Sequence, residues 1–143
     1  MMRSVALTLT LSLTGCGPSL RSSNAVSSGD GCAPPEPSTL MNCRSYGDPK
    51  PTLPAVPTDA DVARLLQGDD CYEVTTLAEH ADAVAPGLAR LATSSSERHL
   101  RDRAIIVLGE LRCRQHADVV ERHATSGDPV TRGYAERALE NLR

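Results

Sequence analysis

The stretch LRDRAIIVLGEL at 100–111 returns 31 residues later as TRGYAERALENL at 131–142. Arg101 aligns with Arg132, Ala104 with Ala135, Leu108 with Leu139 and Leu111 with Leu142. Small and apolar residues at helical spacing, returning at a fixed step, mean helices that bury their apolar faces against like helices, because one such unit has too little surface to do so alone. A third step back reaches DCYEVTTLAEHA at 70–81, where Val74, Leu77, Ala78 and Ala81 keep the helical spacing and Leu77 aligns with Leu108. The predicted fold class is therefore all-α.

Three further helices are expected. APGLARLAT (85–93) places Pro86 in a first turn, where its missing N–H does no harm. HADVVERHAT (116–125) sets Ala117, Val120 and Ala124 on one side, and TDADVARLLQG (58–68) has Thr58 as N-cap and Gly68 as stop. Ser94–Ser96 reads as a helix–helix turn with Ser96 as N-cap of the next helix. On helix 100–111 the apolar residues cover most of the circumference, so neighbours are expected on most sides. On helix 129–142 they cover about half, and Glu136 and Arg137 stand where the preceding helix has Ile105 and Ile106. That exchange suits a last helix with no successor.

DPVTRGYAERAL (128–139) and HLRDRAIIVLGEL (99–111) resemble the short bacterial HEAT and HEAT-like repeats, in the order Asp-Pro, Val, Arg, small Ala positions, then Leu. The resemblance covers about 60 residues from Cys71 onward, most strongly the last two units. It implies a short HEAT-like α-solenoid of stacked helical hairpins over residues 59–143, with Arg101 and Arg132 as structural arginines.

Residues 1–58 have another character. Arg3 precedes a short apolar run, Val5 to Leu13, too brief to span a bilayer and fitted to a signal peptide. The run ends in Leu13-Thr14-Gly15-Cys16, which resembles the bacterial lipobox. The resemblance implies that residues 1–15 are a lipoprotein signal peptide and that Cys16 becomes the first residue, its thiol joined to diacylglycerol and its amine acylated. Gly17 follows Cys16 in place of the Asp that resembles an inner-membrane retention signal, which points to the outer rather than the inner membrane of a bacterial envelope. From Cys16 to Thr58 the chain is rich in Pro, Ser and Gly, with APPEPS and DPKPTLPAVP, and reads as a disordered tether that adds nothing to a core. The 42 residues between Cys16 and Asp59 have a coil dimension of roughly 35 Å.

Composition narrows the function. The chain has no Phe or Trp and three Tyr, so its core is aliphatic, and neither an aromatic-lined pocket nor a base-stacking surface is expected. A formal charge of −3 with no basic patch argues against nucleic acid as partner. His116 and His123 lie two helical turns apart, but a pair lacks the third ligand of a metal site. Asp69, Asp70 and Glu73 lack the ligand spacing of a calcium loop and suit a helix N-terminus. No Ser or Cys has a base at a telling spacing, so no enzyme, metal or cofactor is expected.

With Cys16 set aside, Cys32, Cys43, Cys71 and Cys113 form an even set in an exported chain. Cys32 and Cys43 are expected to pair, whereas the repeat register sends Cys71 and Cys113 to opposite ends of parallel helices, on the order of 15 Å apart. The expected role is a membrane-anchored interaction or scaffold module with an unknown protein partner in the cell envelope. Its face is expected on the second helices, around Arg90, Glu121, Arg122 and His123. The alternative is a lyase-like protein or chaperone acting on a small ligand.

Overall fold

The computed structural model describes residues 31–35, 50–68 and 71–143, with Cys71, Tyr72 and Glu73 described in their backbone alone. All regular structure among these residues is helical: α1 (Asp59–Gln67), α2 (Cys71–Glu79), α3 (Ala81–Ser94), α4 (Arg98–Glu110), α5 (Ala117–Ala124) and α6 (Pro129–Leu142), with a single 3-10 turn at Arg114–His116. No helix among the described residues is long and apolar enough to cross a membrane.

Local chemistry sets most of the boundaries. Thr58 opens α1 with a capping box: its hydroxyl accepts from the Asp61 N–H, and the Asp61 carboxylate accepts from the Thr58 N–H. Asp128 caps α6 by accepting from the Val130 N–H at 2.9 Å, with Pro129 in the first helical position. α4 starts one residue later than its serines suggest. Its N-cap is Glu97, and Ser95 rather than Ser96 supplies the hydroxyl, accepting from the Glu97 N–H at 3.2 Å. α3 starts earlier than expected, at Ala81, because the His80 carbonyl accepts from both Ala83 and Val84. Pro86 therefore lies inside the helix, on its exposed side. α4 closes on a left-handed residue without glycine: Arg112 has φ 51°, and the N–H groups of Arg112 and Cys113 bond back to Gly109 and Leu108.

α4 is the hub. It packs against α3, α6 and α1, and α5 packs against α6. Its pairing with α6 runs parallel. Arg98 reaches Asp128, Asp102 reaches Thr131, and the Gly109 backbone meets that of Ala138. Beyond the helix end, Arg114 donates to the carbonyls of Leu142 and Arg143 at 3.1 Å each. The 31-residue step places α2 as the earlier counterpart of α4. Instead α1 makes the close packing against both α3 and α4, and α2 lies mainly along α1. The core is aliphatic: Val62, Val84, Leu88, Ala104, Ile105, Leu108, Val120 and Ala135 are fully buried, and no aromatic side chain joins them among the described residues.

The tract ahead of α1 is not wholly free of the helices. Cys32 is bonded to Cys113, with an S–S distance of 2.07 Å. This corrects the expected Cys32–Cys43 pairing and leaves Cys113 unavailable to Cys71; Cys43 lies outside the described residues. Cys113 is fully buried at the end of α4, and around it the Ala33 N–H donates to the Leu111 carbonyl and the Cys32 N–H to the Asp82 carboxylate. Further along, Lys50 pairs with Glu79, the Thr76 hydroxyl donates to the Pro51 carbonyl, and Leu53 rests on the core. One backbone hydrogen bond and one from a backbone N–H to a carboxylate, at ~1 kcal/mol each, do not offset ordering residues 31–35 at ~1–2 kcal/mol apiece. The disulfide supplies the remainder. Spanning 81 residues, it removes ~4–5 kcal/mol of unfolded-chain entropy in the loop-closure account.

Two glycines test the α4–α6 contact. A Cβ at Gly109 would stand 2.6 Å from the Cα of Ala138, whereas one at Gly133 meets nothing within 4 Å. Gly109→Ala is expected to cost ~1–3 kcal/mol by forcing the helices apart. Gly133→Ala, inside the same α6, is expected to stabilise by ~0.5–1 kcal/mol. Urea unfolding midpoints of the two variants check both signs; equal shifts would refute the close approach.

Candidate binding groove

Parallel α4 and α6 leave a groove between them. It is open and about 440 Å³ in volume, and Arg98, His99, Asp102, Arg103, Ile106, Val130 and Tyr134 line it. Helical spacing explains the lining: Val130 and Tyr134 are one turn apart on α6, and Arg98, Asp102 and Ile106 are successive turns of α4. Val130 and Tyr134 are 48% and 39% exposed, which makes them unusual among the large apolar residues described.

Below this apolar surface runs a polar network. Asp102 is 6% exposed, a burial that carboxylates tolerate only when paired. One of its oxygens accepts the Thr131 hydroxyl at 2.8 Å, and the other lies 3.5 Å from Arg98 Nε. The same guanidinium reaches Asp128 at 2.6 Å, and Asp128 caps α6. One arginine thus ties α4 to the start of α6, and its charge serves the helix junction. Arg103 donates to the Gly68 carbonyl at 2.8 Å, holding the end of α1 against α4. The groove is an open surface in which Ile106, Val130 and Tyr134 supply the apolar part and Arg98, His99, Asp102 and Arg103 the polar walls, an arrangement that can receive a hydrophobic side chain.

The sequence-predicted face takes another form. Arg90 is gripped by Asp59 through Nε and Nη2, at 2.6–3.0 Å. That pairing holds the Asp59 carboxyl below its ordinary range and raises the Arg90 guanidinium further. Arg122 points back along its own helix to Asp118, Glu121 is exposed and His123 half-buried. Arg90 lies on α3 and Glu121, Arg122 and His123 on α5, and among the described residues no hydrogen bond or ion pair joins the first to the other three.

His116 belongs to the 3-10 turn and His123 to α5, so the two-turn helical spacing does not apply. Among the described residues no group of three His, Cys, Asp or Glu side chains stands where a metal would bind. Cys16, Asp69 and Asp70 lie outside the described residues, and Glu73 is described in its backbone alone. Val130, Tyr134 and Ile106 were the residues that wheel reasoning assigned to apolar packing. Their one distinguishing sign is that Ile106 aligns with Arg137, an exposed position of α6. No protein-family description, curated protein or solved structure matches this chain.

At the other end of α4, Glu110 is half-buried, and its burial raises the carboxyl above its ordinary value against the opposing pull of Arg137. An acid with a raised folded-state value is disfavoured when ionised. The penalty is absent below the unfolded value and sets in as pH rises through the folded one. Glu110→Gln is therefore expected to raise the melting temperature at pH 7 and to leave it nearly unchanged at pH 3. Calorimetry at the two pH values checks this; a gain confined to acid would reverse the sign of the burial effect.

Proposed function

We propose that this chain is a lipid-anchored protein of the bacterial cell envelope whose helices form a short HEAT-like solenoid, and that it is a non-enzymatic interaction module for another envelope protein. The parallel α4–α6 packing, with contacts joining residues 29 or 30 apart, supports the repeat reading. The lipobox-like Leu13-Thr14-Gly15-Cys16 supports the anchor. Several acyl chains hold a protein to a bilayer where one does so only marginally.

The observation that carries the interaction reading is the groove. Val130 and Tyr134 stay exposed beside half-buried Ile106, above a junction in which Arg98 is already engaged by Asp102 and Asp128. A tyrosine over an aliphatic floor is the kind of anchor site through which a partner's apolar side chain gains most of its affinity. In this reading the contact surface is the α4–α6 groove rather than the face around Arg90 and Glu121.

Two measurements test this. Cys16→Ser is expected to move the protein from the membrane fraction to the soluble fraction of fractionated cells, because the apolar run from Val5 to Leu13 is too short to hold it. Retention after a carbonate wash would refute the anchor. A photoreactive phenylalanine analogue at position 134 is expected to give one discrete cross-linked adduct in intact cells, and the same probe at position 121 none. The reverse pattern would return the contact to α5.

A further inference from the structure

We infer that the Cys32–Cys113 disulfide is a strap that ends the tether early, resetting both the length of the leash between membrane and helices and the point at which it is tied. The inference rests on the reading that Cys16 carries the lipid. A tether ending at α1 leaves 42 residues between Cys16 and Asp59, whereas the disulfide ties the chain to the end of α4 after the 15 residues between Cys16 and Cys32. The root-mean-square span falls from roughly 35 Å to roughly 22 Å, and the strapped leash has an absolute reach of about 55 Å. Residues 33–58 become a closed loop outside the load-bearing path.

The strap also sets which pole of the helices is tied. Cys113 stands just past the C-terminal end of α4, and the Ala33–Leu111 and Cys32–Asp82 hydrogen bonds fix the incoming chain there. Arg114 brings the end of α6 to the same pole. Arg98, His99 and Val130 lie at the opposite ends of the two parallel helices, about 18 Å away by helix rise. The leash is thus tied to the pole opposite the mouth of the groove.

Insertions test the strap without touching the folded part. The full chain, with a dye on a C-terminal tag, is placed in vesicles of phosphatidylethanolamine and phosphatidylglycerol containing an acceptor lipid. A 20-residue Gly-Ser insertion after Ser28 lengthens the strapped leash and is expected to lower energy transfer about twofold. The same insertion after Ser38 enters the closed loop and is expected to leave transfer unchanged. A mass spectrum of the N-terminal peptide reads the lipid on Cys16 separately. With Cys16 acylated, equal effects of the two insertions overturn the strap and leave the anchor standing. An unmodified Cys16 overturns both.

Discussion

The contact between the Gly109 and Ala138 backbones sets the geometry of the helices around it. With no side chain at Gly109, α4 and α6 approach to a distance that a single methyl group would forbid. Close approach brings Asp102 within reach of Thr131, and Arg98 within reach of the residue that caps α6. The junction is thus closed by backbone contact at one end and by a buried carboxylate at the other. A carboxylate so placed stabilises only while every partner is present, because an unpaired buried charge costs far more than the pair gains. The network therefore fixes the register of α4 against α6 more than it adds stability.

Much of the helical layout was legible because its causes are local. Thr58, Asp128 and Pro129 announce helix starts through groups within three residues of themselves. The pairing of α4 with α6 was legible from Ala104, Leu108, Ala135 and Leu139, which report shared packing through shared spacing. The same step failed at α2. There the alignment rested on Leu77 and a few alanines, and a fixed step has no means of registering an inserted helix between α1 and α3. Likewise Pro86 was placed in a first turn because proline prefers that position, whereas the bond that starts α3 lies at His80, which carries no capping side chain.

The disulfide and the groove were hidden for different reasons. Four cysteines allow three complete pairings, and nothing in the spacing of Cys32 marks a partner 81 residues away. The geometric objection to Cys71–Cys113 was sound in placing Cys113 at a helix end, but it weighed that end only against other helices and omitted the incoming chain. The groove was hidden by a wheel, which counts apolar residues without counting neighbours. Ile106 looked as buried as Ile105, yet Ile105 is wholly enclosed and Ile106 is not. Arg90 shows a different omission: its position on α3 is readable from spacing, but its pairing with Asp59, 31 residues earlier, is not.

These separate features are arranged along one axis. α4 runs from a polar, open end at Arg98 to a sealed end at Leu111 and Cys113, and α6 runs beside it in the same direction. The sealed end holds the covalent link, where burial keeps the sulfur of Cys113 from solvent. The open end holds the exposed Val130 and Tyr134, where burial is incomplete. A chain of this size with no Phe or Trp has little apolar surface to spare for an exposed patch. Leaving two large side chains uncovered lowers the stability of the junction that carries them. The cross-link at the far pole restricts the unfolded chain without adding core, but that gain is taken up in ordering residues 31–35, so the uncovered groove remains a net cost that the buried aliphatic core between α4 and its neighbours must carry.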